Sequence, residues 1–202
     1  MFVHRVVSLL AALRPATVHA HCDTAEGPAV KAGRRALATG NINQALAWIP
    51  ADGEAELRDV FEKALKVRTL GTDAAEVADR LFLETMVRIH RMGEGVGFTG
   101  IQPTGTDVDP VVTAADEALA LGSDAGLLPL VPDERRAELH ERFHAAMALK
   151  DFDVDDVAAG RRYLAAYVSF FKYAEGEDHE HGGHAHGEHE HERGAHEHSH
   201  AH

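Results

Sequence analysis

One feature constrains this chain more than any other: it contains itself twice. Residues 27–68, GPAVKAGRRALATGNINQALAWIPADGEAELRDVFEKALKVR, lie over residues 109–150 without a gap, and 14 of 42 positions are identical. The offset is 82 throughout and pairs Pro28 with Pro110, Gly40 with Gly122, Pro50 with Pro132, Leu57 with Leu139 and Phe61 with Phe143. The match continues weakly, with Asp73 over Asp155. A repeat of this length is one supersecondary unit that gains a core by packing on its neighbour. The predicted units are 27–92 and 109–174, joined by the Gly/Pro/Thr-rich stretch 93–108.

Each unit reads as helices. Pro28 and Pro110 suit a first helical turn, where the missing N–H costs nothing, and Gly40 and Gly122 are natural C-terminal stops. Leu57, Val60, Phe61, Ala64 and Leu65 recur at spacings of three and four, as do Leu139, Phe143, Ala146 and Met147. Thr72 is expected to start a longer helix through His90. Asp153 or Asp155 is expected to start its counterpart, with Leu164, Tyr167, Val168 and Phe171 on one side. Strand-like alternation is absent. The predicted fold is all-α: a helical bundle of two tandem copies of a three- to four-helix unit, followed by a disordered tail.

Charge separates that tail from the body. Residues 175–202 hold eight acids and one arginine, a net −7 of the chain's −13, which leaves −6 on the remainder. An acidic chain with no basic patch points away from nucleic acid and from anionic membrane surfaces. His179, His181, His184, His186, His189, His191, His196, His198, His200 and His202 put ten histidines into the last 24 residues, interleaved with Glu, Gly and Ala. No aliphatic side chain larger than alanine occurs there, so the segment 177–202 has no core to make. His-Glu-His and His-Ala-His bring imidazoles and carboxylates within reach of one ion, a donor set suited to Ni, Cu or Zn.

The first twenty residues resemble a secretory leader. Arg5 supplies a positive n-region, Val6 to Leu13 an apolar run too short to span a membrane, and Val18-His19-Ala20 a small-residue cleavage site. Export to the periplasm or outside the cell is expected, with a cytoplasmic N-terminal helix as the alternative. Cleavage after Ala20 would make His21 the mature N-terminus. Its amine and imidazole then form a chelate, to which Cys22 adds an amide nitrogen and a thiolate and Asp23 a carboxylate. The alternative is a loop in which Cys22 is a small buried hydrophobe. One cysteine cannot form an internal disulfide.

The repeat also acts as a filter, because polar residues present in one copy only are candidates for a site. His90 stands over Lys172, His140 over Arg58 and His144 over Glu62. His90 follows Leu83, Met86 and Val87 on an apolar helix face, where a lone histidine is usually a hydrogen-bonded core residue. Glu84, Arg88 and Arg91 are spaced as an intrahelical ion-pair ladder. His140 and His144 have the i, i+4 spacing of a two-histidine metal site.

Four longer segments carry a family resemblance: HCDTAEGPAVKA at 21–32, ETMVRIHRMGEG at 84–95, FTGIQPTGTDVDP at 98–110 and ELHERFHAAMALKDFD at 138–153. Through them residues 21–174 resemble a bacterial family of helical proteins, a domain of unknown function. The resemblance implies a signature at His21, Cys22, Asp23, Gly27, Pro28, Glu84, Arg88, His90, Arg91, Glu94 and His140, without His144, and it implies no activity. The opening His21-Cys22-Asp23 and the proline-led helix after it also resemble nickel superoxide dismutases. That family's second cysteine is replaced here by Glu26, so its two-thiolate plane cannot form within one chain.

The expected function is therefore an exported transition-metal-binding protein that stores, buffers or delivers Ni, Cu or Zn. Its expected ligands are drawn from His21, Cys22, Asp23, Glu84, His90, Glu94 and His140, with the tail histidines as a further set. The alternative is a redox metalloenzyme of the nickel superoxide dismutase type. Metal ions are the expected partners; a metal-transport or metalloenzyme partner and a second copy of the chain are left open, and neither nucleic acid nor membrane is expected. No nucleotide loop, hydrolase triad or nicotinamide fingerprint is present.

Overall fold

The computed structural model describes residues 21–105 and 108–176; the expectations for the leader, 1–20, and the tail, 177–202, lie outside them. Among the described residues the fold is all-α. From Pro28 onward the helices are α1 (Pro28–Thr39), α2 (Asn43–Leu46), α3 (Glu54–Val67), α4 (Thr72–Gly93), α5 (Pro110–Leu121), α6 (Arg136–Leu149) and α7 (Val157–Ala174). None of them is long and apolar enough to cross a membrane.

Local sequence explains where the helices start and stop. Pro28 and Pro110 open α1 and α5, and Gly40 and Gly122 end them in the left-handed conformation at φ 69° and 70°, which a side chain would strain. The boundaries of α1 and α5, of α3 and α6, and of the 3-10 turns Ala51–Gly53 and Asp133–Arg135 differ by the same 82 residues. The last helix departs from expectation. It begins at Val157, because Asp153 accepts a bond from the Asp155 amide (2.9 Å) and closes a turn, while Asp156 caps the Ala159 amide (2.8 Å).

Two cores result. Val30, Leu37, Leu46, Leu57, Phe61, Phe82, Met86 and Val87 fill the first, between α1, α3 and α4. Val112, Leu119, Leu127, Leu139, Phe143, Phe170 and Phe171 fill the second, between α5, α6 and α7. The halves meet through specific contacts. Trp48 lies edge-on to Tyr167, with centroids 6.1 Å apart. Arg161 of α7 reaches back to the first half, donating to the carbonyls of Leu46 (3.3 Å) and Ile49 (3.2 Å) and to Glu54 (2.6 Å). Asp155 accepts from Asn41 (2.9 Å) and Asn43 (3.0 Å).

The segment before α1 is clamped rather than trailing. Ala25 donates to the Gln102 carbonyl (2.8 Å) and Gln102 to the Asp23 carbonyl (3.0 Å), so 21–25 runs parallel to the inter-repeat stretch. Asp23, 1% exposed, is ion-paired to Arg91, whose Nε donates to the Gly97 carbonyl (2.7 Å). Gly27 lies against the carbonyl oxygens of His21 and Cys22, where a Cβ would overlap both.

Two outcomes are expected. Gly27→Ala should cost about 1–3 kcal/mol through overpacking against backbone that cannot yield cheaply, and should speed labelling of Cys22 by a thiol reagent. Unchanged melting and labelling would mean that the clamp is not tight. Arg161→Ala should lose about 1–3 kcal/mol from hydrogen bonds to a charged group, read from denaturant midpoints. The Arg161 hydrogen bond holds the Glu54 carboxyl below its usual range. That contribution is present above an unfolded value of about 4.3 and is lost as pH falls through the lower folded one. The gap between wild type and Arg161→Ala should therefore narrow in acid.

Candidate metal centre

The clamped segment places His21 and Cys22 at the junction of the two halves. His21 stacks on Phe171, at 6.1 Å and 12°, and its Nε2 bonds to Asp116 of α5. Tyr167 of α7 donates to the other oxygen of Asp116 at 3.0 Å. With Nε2–H donated to a carboxylate, the lone pair of the neutral ring sits on Nδ1. That Nδ1 is buried and has no hydrogen-bond partner among the described residues.

His90 is arranged in the same way with the nitrogens exchanged. It is 8% exposed, and its Nδ1 lies 2.7 Å from the Trp48 carbonyl, which can only accept. The proton is thereby fixed on Nδ1. In the neutral ring the lone pair is then on Nε2, which is buried and has no hydrogen-bond partner among the described residues; Glu94 Oε1 lies 3.7 Å from it. A carbonyl or carboxylate behind one ring nitrogen is the usual support of a metal-ligating histidine.

A cavity of about 20 Å³, room for one water or one ion, is lined by His21, Cys22, Glu94, Tyr167, Val168, Phe171 and Lys172. Glu94, Val168 and Lys172 also line an adjoining cavity of about 550 Å³ that contains His90 and Trp48. Burial pushes the Cys22 thiol well above its ordinary value, and Glu94, Asp23, Asp116 and Glu175 push it further. The thiol stays protonated in this field unless a cation offsets the carboxylates. Burial likewise raises the Tyr167 phenol well above its usual value, with Cys22 and Asp116 adding to the shift, so it remains a donor to Asp116.

The expected residues thus fall into two groups. His21, Cys22, His90 and Glu94 line the two adjoining cavities. The others are held elsewhere. Asp23 is engaged by Arg91; burial raises its carboxyl, and the Arg91 hydrogen bond opposes that. Glu84 pairs with Arg80 (2.8 Å) and Arg88 with Glu56, so the expected Glu84–Arg88–Arg91 ladder does not form. Glu84 pairs within α4, while Arg88 and Arg91 reach partners outside it. His140 Nδ1 bonds to the buried Asp124 (2.7 Å) and its ring meets His144 at 4.4 Å; neither histidine lines the cavities beside Cys22. Among the described residues no three His, Cys, Asp or Glu side chains are grouped so as to hold an ion. The tail histidines lie outside those residues.

Asp116, Tyr167, Lys172 and Glu175 escaped the reading of the sequence. Asp116 stands over Arg34 in the repeat and so passes the filter that singled out the histidines; applied to carboxylates as well, it would have found this one.

No curated protein and no solved structure matches the chain. A family model described as a family of unknown function, DUF6448, does match, beginning at Glu26, just after His21, Cys22 and Asp23. It spans residues 26–173, most of the sequence, and the chain belongs to that family.

Proposed function

We propose that this protein binds one late transition-metal ion, nickel, copper or zinc, at a centre built on His21 and Cys22. In this proposal it stores, buffers or delivers that metal outside the cytoplasm. The observation that carries the proposal is the pair of buried imidazole lone pairs, His21 Nδ1 and His90 Nε2. Each belongs to a ring whose other nitrogen is already bonded; His21 shares a cavity with the Cys22 thiol, on which four carboxylates act, and His90 lines the adjoining cavity. An unpaired buried polar atom is costly, and a cation would satisfy both rings and offset the negative field together.

Side chains alone are too few for a closed coordination shell, and backbone nitrogen makes up the difference. Cleavage after Ala20 would free the His21 amine, and Nδ1 is the ring nitrogen that closes a six-membered chelate with it. Asp116 accepts from Nε2–H, which in the neutral ring leaves the lone pair on Nδ1. Cys22 would add thiolate and amide nitrogen, with Glu94 from the same cavity and His90 from the adjoining one as further candidates; nitrogen and sulfur donors favour nickel, copper or zinc over magnesium or calcium. The tail histidines would act as a separate reservoir that captures ions. A redox centre of the nickel dismutase type remains the alternative, but a single thiolate supports holding an ion better than cycling it. A metal-transport protein, a metalloenzyme or a second copy of the chain would be the recipient.

We also read the body as two copies of one helical unit around a pseudo-twofold axis. What supports this is the common offset of the element boundaries and the meeting of His90 with Lys172, its counterpart, across one cavity.

Protein from the native host should begin at His21 by intact mass. After deletion of residues 177–202, elemental analysis should find about one equivalent of Ni, Cu or Zn and far less than in the full chain. Cys22→Ala combined with His90→Ala should remove that equivalent while leaving helicity intact. Retention of residues 1–20 would remove the amine from the centre, and unchanged metal in the double variant would remove the centre itself.

A further inference from the structure

A third cavity, of about 430 Å³, is also lined by Trp48 and has a different chemistry. Its walls come from both halves of the chain. The first half supplies Arg35, Gln44 and Trp48; the second supplies Lys150, Phe152 and Tyr163. The volume falls within the range of small-molecule sites, which favour such junctions.

The apolar part is aromatic. Phe152 and Tyr163 lie 5.6 Å apart with planes inclined by 33°, and Trp48 lines both this cavity and the one that contains His90. The polar part is cationic. Arg35 and Lys150 both line the cavity, and no carboxylate does. The Arg35 guanidinium makes no hydrogen bond or ion pair with a described residue. Lys150 spends one donor on the Leu119 carbonyl, which fixes the ammonium in place and leaves two of its three N–H groups. Asp155 accepts from Asn43, a lining residue, and from Asn41. The amide of Gln44, the indole N–H of Trp48 and the hydroxyl of Tyr163 also lack partners among the described residues. Burial raises the Tyr163 phenol, with Asp116 adding to the shift, so it keeps its proton to donate.

We infer that this cavity binds a small amphipathic anion: a flat apolar body held among Trp48, Phe152 and Tyr163, with a carboxylate or phosphate met by Arg35 and Lys150. A cation would meet two like charges there. A wholly apolar molecule would leave the guanidinium, amide and indole N–H unpaired, a loss that a matching anion avoids. The inference does not rest on the metal reading, because none of its polar contacts belongs to the His21–Cys22 centre.

Trp48 is the sole tryptophan of the chain, so its emission reports occupancy directly. The full-length, metal-free protein at pH 8, where the tail histidines are neutral, is titrated with phenylacetate, benzoate and phenyl phosphate. Neutral 2-phenylethanol and inorganic phosphate serve as controls. At least one aromatic anion should change Trp48 emission saturably at millimolar concentration or below. The controls should bind about tenfold more weakly or not at all. Arg35→Gln should weaken the aromatic anion about tenfold without altering the circular dichroism, since this exposed side chain holds nothing in the fold; Arg35→Lys should recover part of the loss. No saturable change with any of the three anions would overturn the inference. Equal binding of 2-phenylethanol, or an unaltered Arg35→Gln variant, would also overturn it, leaving only a hydrophobic crevice.

Discussion

The buried ion pair between Asp23 and Arg91 is the contact on which the rest of the site depends. A carboxylate that is 1% exposed is expensive without a partner, and burial alone would raise its pKa. Arg91 offsets that cost and also donates to Gly97. One guanidinium therefore fixes the segment before α1, the end of α4 and the start of the inter-repeat stretch. Removing either member of such a pair typically costs about 3–5 kcal/mol, because the other is left charged in a dry place. Here the damage would extend to chemistry, since His21 and Cys22 are the two residues just upstream.

From that anchor the chain builds a junction in which each half does a different task. The first half supplies His90 on a long helix whose last turn carries Glu94. The second supplies Asp116 and Tyr167, which orient His21 without lining up as ligands themselves. Trp48 lines both the cavity that contains His90 and the cationic one, and its carbonyl accepts from His90 Nδ1. Leu57 and Phe61 lie in one core and Leu139 and Phe143 in the other, and His21 of the first half meets Asp116 of the second where the halves abut.

Much of the helical fold was legible because its signals are local. Pro28, Gly40, Pro110 and Gly122 mark ends through backbone geometry alone, and the three-and-four spacing of Leu57, Phe61 and Ala64 survives into the core. The start of α7 was misplaced because Asp153, Asp155 and Asp156 are all plausible caps, and only packing decides which one turns the chain. The site was half legible. His21, Cys22, His90 and Glu94 stand out by residue type, but charges on a helix can pair along it or across to a neighbour, and spacing does not say which. That is why Arg88 and Arg91 were assigned to a ladder when they bind Glu56 and Asp23. Asp116 contacts His21 across 95 residues of sequence, a separation that periodicity cannot bridge.

The central claim is that one ion sits between an imidazole-bearing N-terminus and the Cys22 sulfur. X-ray absorption at the metal edge tests it most directly, on protein from the native host lacking residues 177–202. The account predicts a first shell of one sulfur with nitrogen neighbours that include imidazole, and loss of the sulfur scatterer in Cys22→Ser. A shell of oxygen and nitrogen with no sulfur, or the same spectrum in Cys22→Ser, would contradict it.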